Sequence, residues 1–440
     1  MNPRPITCTL IIFSALVVSS FAQAPTAADL NVLRAEIEGI KADYEKRIQA
    51  LEMQLQALQS QAPTAPKPET TAPATQTPTQ TPAQTPTAEI PTGAQGAGGP
   101  TGALPVYGGT AGSKIFNPDI AVIGDFIGAT GSNKVNPDPA FQMHESEVAF
   151  QAIVDPYARA DFFFSYGQEG VTLEEGYITF PAVPGGFLVK VGKMRAAFGK
   201  VNTLHNHVLP WIDRPIMTNN LVAGEDGIND AGFSVARLIP NPWIFLEATG
   251  QIFRGDSTDV FHSSKRGELS YVGHLRGYQD ITENTNIDLG VSFARGHNPA
   301  GIVEGGDVSR FMTSLWGGDA TIRWRPLKRS IYRSFVGRSE FVWSGRNQPG
   351  GAQRAFGYYV SGDYQFARRW FAGLRYDWSK QASDALLVDK GQSAIFTYWP
   401  SEFSQIRGQY RRTQYAVGPT ANEFLMQLQF SIGAHGAHPF

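Results

Sequence analysis

The side chains able to do chemistry are few and far apart. His205-Asn206-His207 sets two imidazoles one residue apart, half of a metal site by ligand type. No third ligand stands at an obvious spacing, and a loop contact explains the pair equally well. His435 and His438 offer two more nitrogens with the same shortfall. Cys8 precedes an apolar N-terminal run, so a chain that loses this run has no thiolate ligand, disulfide or cysteine nucleophile. No Ser-His-Asp set or pair of carboxylates occurs at an interpretable spacing. Gly96-Ala97-Gly98-Gly99 lacks the preceding strand and following helix that a phosphate loop needs. The reading is therefore no enzyme, no cofactor and no metal.

What remains is charge. Lys193, Arg195, Arg323, Arg338, Arg375, Arg407 and Arg411 fall on faces opposite apolar ones, as do Asp319, Glu340, Asp363 and Asp377. Asp213, Glu225, Asp226 and Asp230 cluster in, and just after, the long polar segment 200–229. Such a segment, folded into a lumen, would set its acids against Arg375, Arg407 and Arg411 on the wall. Opposed charged walls create a transverse field that orders water and polar solutes. The plainer reading is that these charges solvate a wide lumen and a surface loop.

Two-faced segments of this kind are strands. Phe356, Tyr358, Val360, Gly362, Tyr364 and Phe366 share one face, and Ala355, Gly357, Tyr359, Ser361, Asp363 and Gln365 the other. Beyond 367–369, Trp370, Ala372, Leu374, Tyr376 and Trp378 continue the apolar face opposite Phe371, Gly373, Arg375, Asp377 and Ser379. Alternation over about ten residues, with aromatics at the ends, fits lipid on one side and water on the other. Sandwich strands average nearer ~6 residues and bury aliphatic faces. A charge on the lipid side costs about 2–4 kcal/mol at the midplane, which turns the arginines inward. After the N-terminal run no stretch approaches the ~20 apolar residues of a spanning helix, so a membrane protein here must be a closed barrel.

The pattern repeats between 118 and 433 as about 16 strands, giving an all-β transmembrane antiparallel barrel. Short turns at 155–157, 184–186, 240–242, 280–284, 326–331, 367–369 and 400–401 alternate with mostly longer loops. Outer-membrane barrels show this asymmetry, and an even count puts both chain ends in the periplasm. Phe424, Met426, Leu428, Phe430 and Ile432 share a parity that reaches Phe440, a terminal aromatic resembling the signal that barrel-assembly machinery reads.

Ahead of the barrel (110–440), residues 1–22 read as a signal peptide: Arg4, an apolar run from Thr9 to Val18, and a cut after Ala22. Over 29–60, Leu30, Leu33, Ile37, Ile40, Tyr44, Ile48, Leu51, Leu55 and Leu58 form a heptad seam with one stutter. This predicts a short periplasmic α-helical coiled coil, with a lone amphipathic helix as the simpler reading. Residues 61–105 are a Pro/Thr/Gln-rich linker too poor in apolar residues to form a core. The 37 basic and 39 acidic residues lack the basic excess of a nucleic-acid binder.

Two segments resemble the phosphate-selective porin O/P family in its broad sense. One is Val189-Lys190-Val191-Gly192-Lys193-Met194-Arg195-Ala196-Ala197-Phe198-Gly199, similar to that family's strand ending in Gly-x(5)-Phe-Gly. The other is Asp213-Arg214-Pro215 with Glu225-Asp226-Gly227-Ile228 and Gly232-Phe233-Ser234-Val235. The resemblance implies a 16-stranded trimeric pore. Phosphate specificity does not come with it: basic and acidic residues balance from 110 onward, and no phosphate-site residue matches a position here. The expectation is an outer-membrane porin of a Gram-negative bacterium, a homotrimer passing small hydrophilic solutes or ions, with lipid and the assembly machinery as partners. The alternative is a structural protein tethering the membrane to peptidoglycan through the coiled coil.

Overall fold

The computed structural model describes residues 119–167, 170–257, 260–301 and 311–433. The expected signal peptide, coiled coil and linker, together with His435, His438 and Phe440, lie outside the described residues.

The chain forms β1 (Asp119–Ser132), β2 (Phe141–Asp155), β3 (Ala158–Gly167), β4 (Gly170–Val183), β5 (Phe187–Arg195), β6 (Asn229–Leu238), β7 (Phe245–Phe253) and β8 (Ser270–Thr282). It continues with β9 (Thr285–His297), β10 (Met312–Trp324), β11 (Ser334–Gln348), β12 (Gly351–Ala367), β13 (Trp370–Lys380), β14 (Val388–Ser401), β15 (Ser404–Gln414) and β16 (Ala421–Gly433). All sixteen are joined in sequence order into one closed barrel, with β1 antiparallel to β16 and Val122 opposite Ile432. Closure leaves no free edge, as a sheet facing lipid requires.

The alternation in the sequence is the alternation of faces. On β16, Phe424, Met426, Leu428, Phe430 and Ile432 are exposed, while Glu423, Leu425, Gln427 and Gln429 are buried inside the ring. On β13, Leu374 is exposed and its neighbours in the chain, Gly373 and Arg375, are buried. Two aromatic belts mark the outer surface. Trp343, Phe356, Tyr358 and Trp378 pack together near one end, and Phe366, Trp370, Phe396 and Tyr398 near the other. Ten steps along β12 separate Phe356 from Phe366. At ~3.3 Å per residue that is about 33 Å, or about 25 Å of height for a strand tilted ~40°, the thickness of an outer-membrane apolar band.

Connections differ at the two rims. On the rim of the N-terminus the turns are short, as after β2, β8, β12 and β14. The opposite rim carries the segments 196–228 and 254–269, although β11 and β12 are joined there by a tight turn in which Gly350 has a φ of 88°. The sequence pattern extends the fifth strand to 199, but β5 ends at Arg195. There Ala196 N–H donates to Ile228 O at 2.8 Å, joining the two ends of the segment. Phe198 then turns inward into an apolar core, and Gly199 takes a φ of 60°. Apolar residues at 196–198 continue the strand's composition while serving a different structure.

Candidate functional site: the loop across the barrel

The segment 196–228 begins and ends on neighbouring strands, β5 and β6, touches the near strands β2, β4 and β7 close to its root, and reaches the far wall at its other end. Counting around a ring of sixteen, β13 stands opposite β5. The loop reaches it, so it crosses the lumen. Its root is closed by Asn202, whose Nδ2 donates to Ala196 O (2.9 Å) and Ile228 O (3.1 Å) and whose Oδ1 accepts from Ile228 N (2.8 Å). Arg214 holds the first half together, donating to Val201 O, Leu204 O and Asn206 Oδ1. Gly199 N donates to Ser292 Oγ, and Val201 N to Glu340 Oε1, on the inner wall. Several residues of the segments that carry the family resemblance are thus those that shape this loop.

The crossing has an apolar body. Phe198, Val201, Leu209, Trp211, Met217, Leu221, Val222 and Ile228 pack with inward residues of the wall, among them Leu315, Val342 and Tyr359. Trp211 lies edge-on to Tyr359, centroids 5.1 Å apart, with the Arg375 guanidinium 4.9 Å from the indole. A short helix, α1 (Ile216–Leu221), rests against β12 and β13. A set of inward-facing apolar residues therefore builds a second, interior core, where the charge pattern suggested an open aqueous lumen.

At its far end the loop is pinned by charge. Asp213 Oδ1 accepts from Arg375 Nη2 at 2.9 Å, Asp213 O from Arg375 Nη1 at 2.9 Å, and Asp213 Oδ2 from Arg411 Nη1 at 3.2 Å. Gln409 Nε2 donates to the same carboxylate at 2.5 Å and Gln409 Oε1 accepts from Ile212 N at 2.9 Å. Arg407 donates to Trp211 O and Gln427 Oε1. Burial pushes the Asp213 carboxyl up, but Arg375 and Arg411 outweigh it and hold it below its ordinary range. Each arginine keeps a further acid: Arg375 has Asp377 at 2.8 Å, and Arg411 has Glu423 at 2.7 Å and Asp138 at 2.8 Å.

The remaining charges expected in the lumen are dispersed. Lys193 Nζ donates to Leu173 O, and Arg195 to the carbonyls of Glu225 and Asp226 and to Glu174. Arg338 pairs with Asp363, while Arg323 lies 3.8 Å from Asp288. Asp230 caps the next loop, accepting from Gly255 N and Asp256 N. Glu225 and Asp226 are exposed. Asp226, Lys193, Asp230 and Arg254 line a polar cavity of about 420 Å³ near the loop-bearing rim. Of the acids and bases singled out in the sequence, the structure brings the loop's Asp213 into direct contact with Arg375 and Arg411 on the wall, with Arg407 on the loop backbone two residues before Asp213; Arg375–Asp377 and Arg338–Asp363 pair within the wall.

No family model matches this chain. It is 27% identical over 388 residues, 74% of this chain and 81% of the relative, to an uncharacterized protein of Aquifex aeolicus (strain VF5). Among solved structures it is similar to a loop-deletion form of OmpT, an outer membrane protein of Vibrio cholerae, at a TM-score of 0.49 and 10% identity, covering 71% of this chain and 98% of that one. For the outer membrane channel DcaP of Acinetobacter baumannii the figures are 0.48, 14%, 72% and 96%, and for Pseudomonas putida OprB they are 0.48, 10%, 72% and 94%. Roles for residues here rest on this chain's own geometry.

A second cluster, which sequence reasoning missed, lies near the loop's root. His205 Nδ1 is 2.8 Å from Glu147 Oε2 and 3.0 Å from Glu174 Oε2, and its Nε2 is 2.8 Å from Glu175 Oε2. Glu145 completes a set with Glu147, Glu174 and His205 whose ligand atoms all lie within 4.8 Å of one another. Burial lowers the basicity of His205, but Glu147, Glu174 and Glu175 more than offset it. The sequence carried half a signal in His205 and His207. The acids stand on β2 and β4, and only the inward fold of the loop brings the imidazole to them.

Proposed function

We propose that the protein is an outer-membrane porin, a water-filled channel passing small hydrophilic solutes or ions beside a fixed internal constriction. The observation that carries this reading is the loop 196–228, pinned to the opposite wall through Asp213, Arg375 and Arg411 inside a barrel with an apolar outer face. A barrel of sixteen strands is wide enough for an aqueous passage. A transverse bar held at both ends narrows that passage. Arg375 and Arg411 are each matched by acids, so the wall offers paired charge in place of the basic ladder that phosphate selectivity needs. The heptad seam of 29–60 fits an oligomer with its coiled coil in the periplasm of a Gram-negative cell, and the family resemblance implies that this oligomer is a homotrimer. The same seam and the linker after it also fit a tether to peptidoglycan.

The test is conductance of the purified full chain in planar bilayers. Stepwise insertion with steps in threes is the expected result, and an absence of conductance across preparations that fold would overturn the pore. Deleting 29–105 should leave the conductance of one barrel intact while removing any cell-wall attachment.

A further inference from the structure

The pore reading makes no use of the cluster around His205. We propose that Glu145, Glu147, Glu174 and His205 bind one divalent transition-metal ion, which staples the root of the loop to β2 and β4. This site stands or falls independently of whether the barrel conducts.

Proximity is the first ground. Two ligands ~2.1 Å from a shared ion lie at most about 4.2 Å apart. The four ligand atoms lie within 4.8 Å of one another, so the widest pair would close to about 4.2 Å across the ion or about 3.4 Å at a tetrahedral one.

The second ground is an unsatisfied buried acid. Glu145 is 4% exposed, no donor group among the described residues reaches its carboxylate oxygens, and the side chain it meets is another acid, Glu174. A carboxylate removed from water demands a cation or a donor, and Glu145 is turned toward three other candidate ligands.

The third is the orientation of the imidazole. Nε2 faces Glu175 Oε2 at 2.8 Å. Donating its proton there leaves the Nδ1 lone pair directed at Glu147 and Glu174. In the ion-free chain Nδ1 pairs with Glu147 Oε2 at 2.8 Å and Glu174 Oε2 at 3.0 Å, contacts that a shared ion would take over. A metal-bound histidine characteristically donates its other N–H to a carboxylate, which Glu175 supplies.

Charge points the same way. Glu145, Glu147, Glu174 and Glu175 bring four negative charges. Arg195, 3.2 Å from Glu174, and Arg214, on the loop side, return two positive ones. In the ion-free cluster His205 carries positive charge, held on its imidazole by Glu147, Glu174 and Glu175, and a bound cation would displace that proton and take its place. His207 Nδ1, 3.5 Å from Glu147 Oε2, lies at the edge of the set. Three carboxylates with one imidazole favour Mn²⁺, Fe²⁺ or Zn²⁺ over the oxygen-only sites of Ca²⁺ and Mg²⁺. A cavity of about 220 Å³ lined by Glu147, Glu175, His205 and His207 gives an ion room to approach.

The experiment uses the full chain folded in detergent and stripped with chelator. Mn²⁺ or Zn²⁺ is titrated by calorimetry, and the heat-unfolding midpoint is followed in parallel. One ion per chain and a raised midpoint are expected, with Ca²⁺ giving a smaller rise. Glu145→Gln should weaken binding at least ~10-fold while leaving the ion-free midpoint unchanged or higher, because it replaces a buried acid packed against a second acid, Glu174, by a neutral group that can donate to it. Glu175→Gln should weaken binding by about 10-fold through loss of imidazole orientation. His205→Asn should abolish the ion-dependent rise. The proposal is overturned if neither metal binds the wild-type chain. It is equally overturned if Glu145→Gln and His205→Asn bind as the wild type does, since the ions then sit on other acids.

Discussion

Replacing Asp213 by asparagine keeps the side chain's shape and removes the charge shared by Arg375 and Arg411. Asp213 is 17% exposed and the Arg375 side chain 1% exposed, so the pair is screened little by water. Removing one member of a buried pair costs about 3–5 kcal/mol. The lower end applies here, because Arg375 retains Asp377 and Arg411 retains Glu423 and Asp138. About 3 kcal/mol is roughly two orders of magnitude in the equilibrium between the pinned loop and one released at this end. Amide hydrogen exchange of the folded wild type and Asp213→Asn in detergent reads that equilibrium directly. Exchange at 209–222 should rise about 100-fold, with strand amides unchanged. Single-channel noise should rise with it. Asp226→Asn is the control: it makes the same charge change on an exposed stretch of the same loop, with an expected effect within ~0.5 kcal/mol. Equal exchange in Asp213→Asn and wild type would show that the apolar body alone holds the loop, and the electrostatic pin would be refuted.

Trp211→Ala empties the interior core where the indole is 1% exposed, and should destabilise by about 3–5 kcal/mol in urea-dependent folding into vesicles. Leu374→Arg, on the lipid face of β13, should cost about 2–4 kcal/mol in the same assay, whereas Leu374→Ala should cost clearly less. The Asp213 carboxyl is held below its ordinary range in the folded chain, so its contribution is complete above the unfolded value and is lost as the pH falls through the folded one. Loop exchange should therefore be flat from neutral pH down to roughly 4 and, after correction for the intrinsic rate, rise below it. A loosening centred near pH 6 to 7 would assign the pin to another group.

The sheet was legible because its signal is local. Each strand of the barrel reads from its own alternation, since one face is apolar and outward and the other lines the interior, and the final strand, 421–433, needs no tertiary knowledge to find. The boundary of β5 was not legible for the complementary reason. Ala196, Ala197 and Phe198 have strand-like composition, yet their burial is against a loop that returns to the barrel from within. Inward charges on the strands were also legible by parity, because a lipid-facing arginine is expensive. What parity lacks is depth and partner, so Arg323 and Arg338 look the same in sequence as Arg375 and Arg411 although only the latter two meet Asp213.

The interior core shows the deeper limit. Leu209, Trp211, Met217, Leu221 and Val222 lie in a segment whose acids and prolines read as a solvated loop. Their apolar partners, Leu315, Val342 and Tyr359, stand at inward positions of strands far away in the chain. Each partner taken singly is an unremarkable exception to a polar face. Only the crossing of the lumen turns those exceptions into one surface, and the same crossing carries Asp213 to β13 and β15 and His205 to β2 and β4. The loop therefore links two sites with different physics: an ion-paired far end that acid can release, and a carboxylate-rich root that a divalent ion can tighten. Perturbing one while reading exchange at the other tests whether the bar behaves as a single rigid piece. A rigid bar should transmit Asp213→Asn to amides near His205, and a hinged one should confine the change to 209–222.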